Sequence, residues 1–153
     1  PTPSWTNVID SSRPAPRVYA WLQEQPKGTI VAELPARPAG DFGRPAFHDS
    51  IYMVWSTLHW QPLVNGFAGA ETPLVQRFRA TAPSFPEPEA LDVLKEAGTR
   101  YVVVHLRGYG PNQRERLEAR VAEMGGRIRE VARFVNGDRA EVDTDVVYEL
   151  LAG

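Results

Sequence analysis

Residues 29–34, TIVAEL, and residues 101–106, YVVVHL, are the two stretches that decide the fold of this chain. Both are continuous apolar runs of strand length without polar alternation, a pattern typical of strands that helices cover on both faces. Gly28 and Pro35 bound the first run. We therefore expect two neighbouring or near-neighbouring parallel strands in the interior of a sheet, joined by helical crossovers.

Other elements surround these strands along the chain. Amphipathic spacing and leading prolines predict helices at residues 17–25, 49–60, 73–81, 86–97 and 113–124. Further strands are expected at residues 62–67, 127–135, 139–142 and 146–150, with a hairpin turn at Asn136-Gly137. The pattern predicts an α/β fold, a three-layer sandwich with a mostly parallel central sheet and an antiparallel hairpin at one edge.

Composition limits the function classes. The 153 residues carry a formal net charge of −2 and no cationic cluster, which argues against a nucleic-acid partner. The absence of cysteine excludes disulfides, thiolate metal sites and cysteine nucleophiles. Residues 1–16 are rich in proline and polar side chains and are expected to be a linker or flexible segment. Residues 17–153 are long enough for one α/β domain with a sizeable core.

The stretch 52–69, YMVWSTLHWQPLVNGFAG, is too apolar for an ordinary loop and too rich in hydrogen-bonding groups for an ordinary core element. Trp55, Trp60 and Phe67 are candidates for stacking on sugar rings, because flat aromatic faces bind them. The alternative is that these side chains only fill the core against the sheet.

A candidate pocket follows from the ends of the two predicted strands. Glu33 and His105 lie there, and ligands of open α/β sheets bind at the carboxyl ends of parallel strands. Ser56, His59 and Asn65 are expected to join them from the stretch 52–69. The predicted group could be a hydrogen-bonded structural network or a site of chemistry.

Enzyme signatures are weak. Ser56 and His59 share a helix face with Asp49 two turns earlier, but no G-x-S-x-G motif accompanies them. His48, His59 and His105 lack the spacing of a metal motif. We predict no catalytic residue, no metal ligand and no cofactor, and keep as one alternative a small hydrolase or metal-dependent enzyme using Glu33, His59 and His105.

Three segments together carry a resemblance: VYAWL…TIVAELP, YMVWSTLHWQPLVNGFAG and PEALDVLKEAGTRYVVVH. They resemble the C-terminal region of multi-spanning bacterial membrane glycosyltransferases of the dolichyl-phosphate-mannose-protein mannosyltransferase type. The resemblance covers residues 18–150. It implies an extracytoplasmic α/β domain that follows a bundle of membrane helices. The acidic catalytic residues of that family lie in the membrane region, so none is carried over to this sequence.

The resemblance implies a non-catalytic extracytoplasmic accessory domain, tethered to the cell membrane in the full-length protein. Its expected partners are the transmembrane region of the parent protein and a glycan or lipid-linked sugar. A protein–protein interaction module is the third alternative, beside the small enzyme.

Overall fold

The computed structural model describes residues 14–36, 47–66 and 72–152 of the chain, so most of the predicted linker at 1–16 lies outside the described residues. Within the described ranges, helices and strands alternate before a terminal hairpin. The helices are α1 (Arg17–Gln23), α2 (Phe47–His59), α3 (Pro73–Thr81), α4 (Pro88–Glu96) and α5 (Pro111–Glu123). The strands are β1 (Val31–Leu34), β2 (Tyr101–His105), β3 (Ile128–Val135) and β4 (Thr144–Leu150). None of these helices is long and apolar enough to cross a membrane.

The strands form one open sheet in the order β1-β2-β4-β3. β1 and β2 are parallel neighbours, with Val31 opposite Tyr101, as predicted for the two apolar runs. β4 pairs antiparallel with both β2 and β3. Among its four strands only β1 and β2 pair in parallel, so the sheet is mixed and not mostly parallel, because the last strand enters between β2 and the hairpin strand β3.

Helices cover both faces of the sheet, which confirms the predicted α/β sandwich. On one face, α3, α4 and α5 bury a cluster that includes Phe78, Leu91 and Leu117 against alternate residues of β1, β2 and β4. On the other face, α1 and α2 lie over a smaller cluster that includes Leu22 and Val103. Alternate side chains of each strand therefore enter different cores.

The outer edge of β1 is covered, although β1 is the first strand of the sheet rather than an interior one. Val31 forms an isolated parallel bridge with Leu63, and its N–H donates to the carbonyl of Pro62 at 2.9 Å. A full strand over 62–67 is not present among the described residues, because the Asn65 side chain takes the place of further backbone pairing with β1. All four residues of β1 are buried as a result.

Three predicted elements were placed wrongly. The expected return strand at 139–142 is a turn, since the N–H groups of Val142 and Asp143 both donate to the carbonyl of Arg139, at 2.9 and 2.7 Å. The predicted last strand at 146–150 instead begins at Thr144 and is the hairpin partner of β3. Helix α4 begins at Pro88 rather than at residue 86, because the Glu87 N–H donates to the Ser84 carbonyl in a preceding turn.

Candidate functional site

A buried charged network lies where β1 and β2 end and β4 begins. His105 Nε2 is 2.7 Å from Glu33 Oε2, and His105 Nδ1 is 2.7 Å from Asp145 Oδ1. The pairing of His105 with Asp145 in the β2–β4 register brings these two side chains together. Both ring nitrogens of His105 are therefore occupied by carboxylates.

Burial and charge act in opposite directions on this network. Desolvation lowers the pKa of His105, but the hydrogen bonds to Asp145 and Glu33, and their charges, outweigh it and raise the pKa to about 10. Desolvation is the largest influence on Glu33 and raises the pKa of its carboxyl above the usual value, against the hydrogen bonds with His105 and Tyr19. The ring of His105 is thus an imidazolium held between two acidic groups at neutral pH.

Aromatic rings enclose the network from the α1 and α2 layer. The Tyr19 hydroxyl donates to Glu33 Oε2 at 2.9 Å. Tyr52 stacks on His105 with ring centroids 5.0 Å apart, and its hydroxyl donates to the carbonyl of Pro35 at 3.0 Å. Burial raises the pKa of both tyrosines, so their hydroxyls stay protonated and act as donors.

Asn65 links this network to a buried ion pair. Its Oδ1 accepts from the Glu33 N–H at 3.1 Å, and its Nδ2 donates to the Glu33 carbonyl at 2.8 Å. The same Nδ2 donates to Asp49 Oδ1 at 3.1 Å, and Asp49 forms a fully buried salt bridge with Arg79 from the opposite helical layer. Asn65 is therefore a structural link that fixes the backbone at Glu33.

A cavity of about 340 Å³ opens beside the network, at the carboxyl ends of β1 and β2. Its volume is within the range of small-molecule sites. Tyr52 and Trp55 of α2 form part of one wall, and Asn136, Asp143 and Asp145 of the hairpin form part of another. His105 reaches the cavity with 16% of its side chain exposed.

A larger hollow of about 570 Å³ lies beside α5. The Arg120 guanidinium makes two hydrogen bonds across this region to the carboxylate of Glu87, both 2.7 Å long. None of the residues predicted from the sequence to form a site lines this hollow. The smaller cavity is therefore the candidate functional site.

The structure brings together three of the five predicted pocket residues by direct hydrogen bonds: Glu33, Asn65 and His105. His59 lies one ring away, since it stacks on Tyr19 with centroids 5.8 Å apart. It is fully buried, and its Nδ1 accepts from the Gln61 N–H at 3.0 Å. Burial lowers the pKa of His59, so the ring is neutral.

The remaining candidates do not join this group. Ser56 donates back to the Met53 carbonyl of its own helix at 2.6 Å. Trp55 lines the cavity and stacks on Tyr19, with ring centroids 5.7 Å apart. Trp60 has a left-handed backbone with φ 55°, and its side chain is 72% exposed and does not line the cavity. Phe67 and the side chain of His48 lie outside the described residues.

The relay considered for a hydrolase is not assembled. Ser56 bonds to its own helix, His59 bonds to Gln61, and Asp49 bonds to Asn65 and Arg79. Among the described residues, no group of three or more His, Asp or Glu side chains could hold a metal ion. Among the described residues, each candidate for acid–base or metal chemistry thus makes at least one hydrogen bond to another protein group, and His59 Nε2 is buried without one.

Sequence reasoning missed Asp145, Tyr19 and Tyr52. Asp145 lies at the start of an antiparallel strand, where the rule about carboxyl ends of parallel strands gives no signal. The acidic residue directly before the apolar run 146–148 was the only available hint. Tyr19 lies in the helix predicted at 17–25, but helix periodicity does not show which strand residue a side chain meets.

No protein-family model matches the sequence, and no curated protein matches it either. Among solved structures, the chain is similar to the C-terminal globular domain of an oligosaccharyltransferase from Archaeoglobus fulgidus. The sequence identity is 14%, the match covers 88% of this chain and 95% of that chain, and the TM-score is 0.46.

Proposed function

We propose that this chain is a non-catalytic extracytoplasmic accessory domain of a membrane glycosyltransferase-like protein of the dolichyl-phosphate-mannose-protein mannosyltransferase type. The observation that carries the non-catalytic part is the occupation of both ring nitrogens of His105 by Glu33 and Asp145. A general base needs a nitrogen within reach of a substrate proton, and a metal ligand needs a free lone pair. His105 offers neither to a molecule in the cavity.

The link to membrane glycosyltransferases rests on the sequence segments 18–35, 52–69 and 88–105, which resemble that family. In this proposal the domain packs beside the transmembrane region of its parent protein and contacts a glycan, an acceptor or a lipid-linked sugar. The aromatic wall of the cavity supports a binding role, since Trp55 is only partly buried there.

Membrane topology tests the proposal. These 153 residues contain no cysteine, so one cysteine introduced here is the only label site in the domain once any cysteine elsewhere in the full-length protein has been replaced by serine. Glu115 is an exposed residue on α5, in the helical layer opposite the cavity. In the full-length protein, Glu115→Cys should react with a membrane-impermeant maleimide in intact cells, because the domain faces the outside.

Leu117→Cys is the matched control, because Leu117 is on the same helix but is buried. It should stay unlabelled until the protein is unfolded, which shows that labelling reports a folded domain. Labelling of Glu115→Cys only after the cells are broken open would place the domain inside the cell and contradict the proposal.

A further inference from the structure

The cavity beside His105 has two chemically different walls. Ile51, Tyr52 and Trp55 project from α2 on one side. Asn136 and Asp143, at the two ends of the β3–β4 turn, contribute amide and carboxylate groups on the other. A flat apolar wall facing planar polar groups suits a ring that has apolar C–H faces and hydroxyls around its edge.

The cations that line the cavity are already neutralised. Arg107 donates to Asp143 Oδ1 through Nε at 3.1 Å and through a terminal nitrogen at 2.5 Å. His105 is held between Glu33 and Asp145. Among the described lining residues, no basic group is left to balance an incoming phosphate, so an anionic ligand would meet carboxylates without compensation.

Hydrogen-bond acceptors remain available on the polar wall. Asn136 uses its Nδ2 to donate to Asp145 Oδ2 at 2.7 Å, which leaves its Oδ1 free of partners among the described residues. Asp143 receives Arg107 on Oδ1, and no described group donates to its Oδ2. These oxygens can accept from ligand hydroxyls.

We propose that this cavity binds an uncharged sugar ring, which stacks on Trp55 and donates hydroxyl hydrogen bonds to Asn136 and Asp143. The inference rests on the proposed function and specifies it: the domain holds the sugar, and not the phosphate, of a glycan or lipid-linked sugar. This inference distinguishes between two of the tryptophans that the sequence suggested for stacking on a sugar. Trp55 contacts the ligand, and Trp60 does not.

A titration of the 153-residue chain with methyl glycosides of mannose, glucose, galactose and N-acetylglucosamine tests this inference by NMR. At least one glycoside should shift the Trp55 indole and Asn136 amide signals with a millimolar Kd, and inorganic phosphate should leave them unmoved. Trp55→Leu and Asn136→Ala should each weaken binding about tenfold through lost stacking or a lost acceptor. Trp60→Leu, on the exposed residue that follows the same helix, is the matched control and should bind normally.

Asn136 is exposed, so Asn136→Ala keeps the test usable if Trp55→Leu does not fold. Three results would overturn the inference. The first is that no glycoside shifts the Trp55 and Asn136 signals at ~100 mM, a concentration that saturates a millimolar site. The second is that phosphate alone shifts these signals, and the third is that only Trp60→Leu loses glycoside binding. Extracytoplasmic labelling together with absent glycoside binding would remove this inference and leave the proposed function standing. Labelling from inside the cell would remove the proposed function itself.

Discussion

His105 is the residue on which the site is built. Its ring bonds to Glu33 and Asp145 through its two nitrogens and stacks on Tyr52. The hydrogen bond from Asn136 to Asp145 extends this network to the turn between β3 and β4. Because the ring is charged and buried between acidic groups, it joins three strands by charge-assisted hydrogen bonds.

The charge of His105 makes the stability of the domain depend on pH. The pKa of His105 rises from 6.5 to about 10 on folding. Its contribution is complete below pH 6.5 and is lost as pH rises through 10, so the free energy of unfolding should fall across this window. Urea denaturation at several pH values measures the fall.

His105→Gln keeps a polar side chain that cannot titrate, and it serves as the reference for this measurement. The fall in unfolding free energy between pH 6.5 and 10 should be smaller in the variant than in the wild type. Equal slopes in the two proteins would show that His105 is not a buried imidazolium.

The residues of the network were only partly predictable. Glu33 and His105 could be placed together because each ends an apolar run, and the carboxyl ends of parallel strands meet at one edge of the sheet. Asp145 could not be found in this way. Its position depends on β4 entering antiparallel next to β2, and an apolar run does not reveal the direction of its pairing.

Strand β1 depends on a side chain for part of its pairing. The Val31 N–H donates to the Pro62 carbonyl and the Val31 carbonyl accepts from the Val64 N–H, on either side of Leu63. The next pairing position is filled by the amide of Asn65, which bonds to both backbone groups of Glu33. An unpaired strand edge is a liability in a protein. The Asn65 amide closes this edge and holds the Glu33 backbone in register with His105.

Asn65→Ala should destabilise the domain by about 2–4 kcal/mol, because it leaves two buried backbone groups of Glu33 and one Asp49 oxygen without this partner. Asn112→Ala, at an exposed position on α5, is the control and should change stability by less than about 0.5 kcal/mol. Chemical denaturation measures both. Amide exchange at Glu33 should also accelerate in Asn65→Ala, and equal stability of the two variants would contradict this role.

Local signals explain which elements the sequence predicts well. Helix α3 spans the predicted 73–81, because Pro73 suits its first turn and the Thr72 hydroxyl accepts from the Val75 N–H at 3.3 Å. The 139–142 strand failed because the turn after Asn136-Gly137 extends to Asp143 before pairing begins. A two-residue turn signal does not specify the length of a longer loop.

At the scale of the whole molecule, the two helical layers differ in character. The layer of α3, α4 and α5 packs an apolar core, whereas the layer of α1 and α2 covers the charged network and lines the cavity. Periodicity predicted helices on both faces but not which helix lies on which face, because each pattern shows only that one side is buried. The location of the cavity follows from that arrangement.

The central claim is that this domain binds and supports but does not catalyse. Its most direct test is turnover by the purified 153-residue chain, supplied with a polyprenyl-phosphate mannose donor and an acceptor peptide. The predicted result is no transfer and no donor hydrolysis above the buffer background, because the ring nitrogens of His105 are both occupied and His59 is fully buried. Turnover that is lost in His105→Ala and kept in Trp60→Leu would contradict the claim and establish a small enzyme instead.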